Sequence, residues 1–156
     1  MPFEVKILGS CSATPVFNRH PSAQLLNIDH RFYLIDCGEA TQLQLNRYKV
    51  KFNKIDHIFI SHLHGDHYLG LVGLISSMHL HGRTKDLDLY GPPGLDEIIT
   101  VQMRYSETFL HYKIHFHELD TEKRQIIYET NALTVETIPL QHRVKCCGFL
   151  FREKPK

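Results

Sequence analysis

A chain of 156 residues, 42% of them hydrophobic and 22% charged, has the apolar content for a sizeable core and predicts one globular domain with no internal boundary. The formal net charge of +1 argues against a broad basic surface that holds nucleic acid by electrostatics alone, and leaves room only for a local basic patch. No apolar run approaches a bilayer span, no leader-like segment opens the chain, and Cys11, Cys37, Cys146 and Cys147 lack C-x-x-C or secreted-type spacing, so the expectation is a cytoplasmic protein with reduced thiols and no membrane partner.

In chain order, residues 3–8 alternate as a strand that ends at Gly9-Ser10, and residues 11–22 form a loop holding Pro15 and Pro21. Residues 23–28 and 32–35 read as a hairpin around Asp29-His30-Arg31. Gly38 breaks the second strand, and residues 39–48 have helical spacing through Ala40, Leu43 and Arg47. A short apolar strand over 56–60 runs into Ser61-His62-Leu63-His64-Gly65-Asp66-His67. Residues 68–80 repeat Leu71, Leu74, Ile75 and Met78 at helical spacing, with Gly70 and Gly73 allowing close packing. A strand over 87–90 closes at Gly91-Pro92-Pro93-Gly94, and a helix over 95–105 carries Ile98, Ile99 and Met103 on one side. Residues 114–119, 125–129, 133–138 and 147–151 read as strands. The pattern is α/β. Cys146 and Cys147 lie in the last of the apolar stretches, where core filling is their expected role.

The histidine cluster carries the chemistry. Neutral imidazole nitrogen and carboxylate oxygen are the usual ligands of zinc and similar divalent ions. His62 and His64 are two apart, so extended or turn backbone can aim both at one ion. Asp66 and His67 follow at a spacing that suits a second ion, with Gly65 allowing the turn between the pairs. Two ions about 3.5–4 Å apart would polarise a phosphoryl group and generate hydroxide near neutral pH. Asp66 could then also accept the proton of the attacking water. A complete pair needs a further ligand from far along the chain. His142 is the best candidate, although a single loop histidine is more often solvated.

The remaining histidines have weaker patterns. His79-Leu80-His81 falls on a helix, where residues two apart diverge, and His115 and His117 alternate along a strand's exposed face. His20, His30, His57 and His111 have no supporting pattern. Asp36 ends a buried strand, where it either orients a metal-bound imidazole or is a satisfied strand-end carboxylate. There is no G-x-G-x-x-G, phosphate loop or G-x-S-x-G to support other chemistry.

Leu8-Gly9-Ser10, Asp36-Cys37-Gly38-Glu39-Ala40-Thr41-Gln42 and the histidine cluster together resemble the metallo-β-lactamase superfamily. The narrower similarity is to the ribonuclease Z family, endonucleases that trim 3′ trailers from precursor tRNA. It rests on the Asp36–Gln42 stretch, on His67-Tyr68-Leu69-Gly70-Leu71-Val72-Gly73-Leu74, on Gly91-Pro92-Pro93-Gly94 and on His142-Arg143. The resemblance implies an αβ/βα sandwich, of which this chain supplies about half as a mixed sheet with helices on one face. It implies that His62, His64 and His142 hold one zinc. Asp66 and His67 would belong to a second, with Asp66 also the proton acceptor. Pro15-Val16-Phe17-Asn18-Arg19-His20 departs from the family's P-x-K-x-R-N, keeping only the proline and arginine.

The family's later bridging aspartate, last metal histidine and substrate-binding arm would lie beyond Lys156, so the chain reads as the N-terminal half of such an enzyme. Half a sandwich is expected to leave one sheet's inner face bare, which predicts a homodimer. The expected occupancy is one zinc or none, with little or no cleavage by the chain alone. A hydrolase of small esters or phosphodiesters, and a non-catalytic metal-binding module, are the competing readings.

Overall fold

The computed structural model describes residues 2–14 and 16–155, so Pro15 of the departing loop lies outside the described residues. Three strands open the fold: β1 (Phe3–Gly9), β2 (Ala23–Ile28) and β3 (Arg31–Ile35). Helix α1 (Thr41–Arg47) and a 3₁₀ turn at Phe52–Lys54 lead to β4 (Ile55–Phe59). The one-turn helix α2 (Gly65–Tyr68) and α3 (Leu71–Leu80) precede β5 (Leu87–Gly91), α4 (Leu95–Tyr105) and β6 (Ile114–Glu118). The chain then adds β7 (Ile126–Glu129), β8 (Leu133–Pro139) and β9 (Cys147–Glu153). Strands β1 to β6 form one sheet in sequence order, antiparallel up to β3 and parallel from β3 to β6. Strands β7 to β9 form a separate antiparallel sheet.

Alternation along the strands of the large sheet builds two cores. On one face Leu25, Leu34, Ile58 and Leu89 pack against Leu45 of α1, Leu74 and Met78 of α3, and Ile99 of α4. On the other, Leu26, Tyr33, Phe59 and Tyr90 meet Leu133, Val135 and Cys147 of the small sheet. Phe59 is fully buried, its ring 4.5 Å from Tyr90 and 5.4 Å from both Phe149 and Phe151. Burial of such a ring contributes roughly 1.5–3 kcal/mol. The layers are helices, mixed sheet, small sheet.

The inner face is thus not bare, as half a sandwich led us to expect. The small sheet covers β2 to β5 and stops short of β1. There Phe3, Val5 and Ile7 point to the same side as Leu26 and Ile28 and stay 40%, 55% and 52% exposed.

Two helices differ from their expected faces. Helix α1 begins at Thr41, because Ala40 takes a left-handed φ of 64° that helix backbone cannot share. It buries Thr41, Gln44 and Leu45, while Leu43 is 67% exposed. The polar pair is satisfied on the spot: the Thr41 hydroxyl donates to Gly38 O (2.7 Å) and Gln44 Nε2 to Leu8 O (2.9 Å). In α4 the inward stripe is Leu95, Ile99 and Met103, spaced four apart. The helix expected over 68–80 is broken at Gly70, where an added Cβ would sit 2.1 Å from Gly38 O. Only glycine lets α3 start against that turn. Gly73 has no comparably close neighbour.

Candidate metal centre

Parallel pairing of β3 and β4 brings their C-terminal ends, Asp36 and Ser61, side by side. Asp36 adopts a left-handed φ of 57° and donates its N–H to Phe59 O, which turns the chain off the sheet and aims the carboxylate back beneath it. The buried carboxylate accepts four hydrogen bonds: from Ser22 Oγ (3.1 Å), Ser61 N–H (2.9 Å), Ser61 Oγ (3.1 Å) and His67 Nδ1 (2.6 Å). Asp36 is thus a fully satisfied strand-end carboxylate that also holds the His67 ring by its Nδ1. Backbone bonds from Cys37 N–H to His67 O and from Gly70 N–H to Cys37 O fix α2 against this turn. Gly65 starts α2 with an ordinary negative φ; its lack of a Cβ makes space for Leu69, whose Cδ1 would be 2.7 Å away.

His62 and His64 extend beyond β4 in backbone that is not yet helical, with His64 at φ −76° and ψ 142°. His142 arrives from the small sheet. Pairing of Pro139 with Cys147, and donation from Cys147 N–H to Ser61 O, close the β8–β9 loop over the end of β4. One nitrogen from each of His62, His64 and His142 then lies within 4.8 Å of the other two. His64 Nδ1 is 3.1 Å from His62 Nε2 and 3.1 Å from His142 Nε2. A single ring nitrogen carries either a proton or a lone pair, so His64 Nδ1 can satisfy only one neighbour by hydrogen bonding. A cation satisfies all three. With metal–nitrogen bonds of 2.0–2.1 Å, tetrahedral ligands sit about 3.3 Å apart. The donor set fits a zinc-like ion in type, and the two 3.1 Å separations from His64 suit such bonds.

His62 is backed by Ser61, whose Oγ lies 3.0 Å from His62 Nδ1. With that hydroxyl donating to Asp36, His62 Nδ1–H donates to Ser61 and leaves Nε2 free with its lone pair. Burial, then the neighbouring His67, holds the His62 pKa down at about 4; Asp36 opposes this, and His64 and His142 add to it. For His67 burial also disfavours the charged form, but the Asp36 hydrogen bond and the charges of Asp36 and Asp66 outweigh it and raise the pKa. His67 Nε2 faces Asp66 Oδ2 at 3.5 Å. Ser61 went unread as a functional residue, although it opens the cluster.

Four histidines elsewhere hold other partners. His79 Nδ1 accepts from the His111 N–H (3.3 Å), and His81 Nδ1 donates to Ser77 O (2.8 Å). Exposed His115 and His117 each engage a carboxylate, Asp86 just before β5 (2.9 Å) and Asp88 within it (2.7 Å). His57 is enclosed by Tyr33, Tyr90 and Tyr128. All four thiols are unpaired; burial raises Cys37 and Cys147 to about 12, as suits core filling.

The family model described as Anti-Pycsar protein Apyc1 matches residues 3–155. Ribonuclease Z of Cytophaga hutchinsonii is 56% identical over 156 residues, which is all of this chain and 50% of that protein. The short form of human tRNase Z superposes with a TM-score of 0.88 at 34% identity, covering 96% of this chain and 64% of that one. The metallo-β-lactamase fold protein YhfI of Bacillus subtilis has a TM-score of 0.72 at 23% identity, covering 97% and 58%, and shows the shared fold. The chain spans about half the length of the curated relatives it matches. It belongs to the Anti-Pycsar protein Apyc1 family, with the metallo-β-lactamase fold and a sequence similar to ribonuclease Z throughout.

Proposed function

We propose that this chain supplies part of the active site of a zinc-dependent endoribonuclease that removes 3′ trailers from precursor tRNA. The convergence of the His62, His64 and His142 nitrogens carries the reading, and the ribonuclease Z relatives point to the substrate. These three histidines hold one ion, and Asp66 and His67 belong to a second. A bound divalent ion supplies Lewis-acid polarisation of a phosphoryl oxygen and lowers the pKa of water. Asp36 and Ser61 hold His67 and His62 by their Nδ1 atoms, so that both rings present Nε2. Asp66 accepts the proton of the attacking water as the phosphorus–oxygen bond to the trailer breaks.

Residues 1–156 constitute the N-terminal half of one metallo-β-lactamase-like domain, in a cytoplasmic protein. The second ion has two donors here, Asp66 and His67, which is too few for firm binding, so the chain alone holds one zinc or none and cleaves little or nothing. The test is incubation of zinc-loaded chain with precursor tRNA; robust processing would overturn the inactive reading. In a longer protein containing this chain, Asp66→Asn is expected to lower kcat by roughly 10²-fold or more. The same three-histidine site would equally serve a second reading, hydrolysis of a small ester or phosphodiester. Faster turnover of an aryl phosphodiester than of precursor tRNA by that longer protein would select it.

The exposed stripe of Phe3, Val5 and Ile7 supports self-association as a two-fold homodimer. Light scattering at micromolar concentration should give twice the chain mass. A monodisperse monomer would refute the dimer.

A further inference from the structure

At the end of the large sheet opposite the metal centre, a groove of about 690 Å³ runs between β1 and the segment that follows α1. Its residues come from the N-terminal ends of β1 and β3, the C-terminal end of β2 and the loop before β4. One five-residue strand at ~3.3 Å per residue separates these ends, so the groove lies roughly 20 Å from the histidine cluster. Four lysines line it: Lys6, Lys49, Lys51 and Lys54. The one acidic lining residue, Glu4, accepts a hydrogen bond from Asn27 (3.0 Å). Among the described residues none of the four lysines is ion-paired, whereas Lys85, Lys123 and Lys154 each are. A second groove of about 430 Å³ shares Lys49 and Lys51 with the first and continues past the loop to His81. The two grooves meet at residues 49–51, and Lys49 and Lys51 line both.

Aromatic rings accompany the charge. Phe32 and Tyr48 line the first groove; Phe52 backs the second from the core, where it is buried. Tyr48 remains 43% exposed with the Lys6 ammonium 5.2 Å from its ring centroid. Uncompensated lysines along a trough with aromatic rings are the features that hold a single nucleic-acid strand without reading its sequence. A chain whose formal net charge is only +1 gathers four unpaired cations in one trough, which makes this a local feature and not a general basicity. A flat anionic surface such as a membrane would meet the loop crest but not the trough, so the shape favours a strand.

We propose that this double groove binds the phosphodiester backbone of RNA, away from the bond that is cut. Its preference for a polyphosphate strand follows from the lysines alone; the choice of RNA rests on the ribonuclease reading of the metal centre. The two can fail separately, because binding is measured with the metal removed.

The test is fluorescence anisotropy of a labelled single-stranded RNA of about 20 nucleotides, titrated with this chain in chelator over a range of salt concentrations. The variant Lys49→Glu/Lys51→Glu/Lys54→Glu is compared with Lys85→Glu/Lys113→Glu/Lys123→Glu, which changes net charge equally elsewhere. Circular dichroism confirms that both fold. With about 0.7 of slope in log K against log salt per phosphate contact, the groove variant should lose about 2 from the slope and at least tenfold in affinity. The control should keep the wild-type slope. Equal loss in both variants, or none in either, would overturn the groove. Tighter binding to phosphatidylserine vesicles than to RNA, lost in the groove variant alone, would overturn the RNA assignment in favour of an acidic membrane surface. Loss of tRNA cleavage in a longer protein, with RNA binding by the groove intact, would leave this proposal standing and remove the ribonuclease one.

Discussion

The same large sheet carries two groups of histidines beside carboxylates, and they do different things. At the C-terminal ends of β3 and β4, one carboxylate, Asp36, engages the Nδ1 of His67 directly and that of His62 through Ser61. Both rings keep Nε2 pointing outward. Across β5 and β6 the pairing is one to one: His115 with Asp86 and His117 with Asp88, each through Nε2. There each ring is held by its own carboxylate through Nε2 and, among the described residues, no third donor converges with it. The metal centre gathers His62, His64, His67 and His142, whereas His115 and His117 are each committed to a separate carboxylate. A metal site is thus distinguished by how many imidazoles converge, and by which face of each its hydrogen bonds leave free.

The largest effect should come from His64, because its Nδ1 is the vertex shared by both 3.1 Å contacts. His64→Ala should weaken zinc binding by roughly 10³-fold or more, beyond the ~10–100-fold typical of losing a group that only orients a ligand. Competition with a fluorescent chelator measures it. His115→Ala/His117→Ala should leave zinc affinity within twofold of wild type, and a comparable loss there would erase the distinction between the two groups.

Asp36→Asn comes next. It keeps the shape and removes the charge, and its amide would face the Ser61 N–H or the His67 Nδ1–H with a donor. Zinc affinity should fall about 10–100-fold. In chelator the folded state should lose about 1–3 kcal/mol, the usual penalty of a buried polar group left unmatched. Urea denaturation without metal separates the two effects. Unchanged stability would mean that Asp36 orients nothing.

Much of this was legible in the residues, and what was not has a physical cause. The strands and the cluster at Ser61 to His67 are local patterns, so period and ligand chemistry reveal them. The inward face of α1 was hidden because Thr41 and Gln44 are buried by hydrogen bonds to Gly38 and Leu8, which hydrophobic spacing does not register. The cover over Tyr33, Phe59 and Tyr90 depends on β7 to β9 folding back as a second sheet, a non-local pairing. His142 was open for the same reason: only the register of β8 and β9 carries it the 78 positions to His64. Ser61 was in plain view, but a hydroxyl takes its role from its neighbours in space, and Asp36 is 25 residues away.

The smallest effect separates His57 from both groups. It sits on the inner face with its Nδ1 buried and unbonded, 3.6 Å from an Asp88 oxygen, and against the Tyr128 ring at 4.4 Å. Burial chiefly lowers its pKa below 6.5, with Lys85 and His117 adding to this and Asp88 and Asp56 opposing it. The folded state therefore holds His57 neutral while the unfolded chain takes up a proton. Its contribution to stability is complete above pH 6.5 and is lost as pH falls from there toward the folded pKa, with a slope of at most about 1.4 kcal/mol per pH unit. His62 acts in the same direction and His67 in the opposite one, so the measurement must be a difference between proteins. In chelator, the urea midpoint of wild type should drop more between pH 7.5 and 5.5 than that of His57→Phe, which has nothing to protonate. Parallel drops would show that Asp88 already pairs with a charged His57, and would move this residue into the class of His115 and His117.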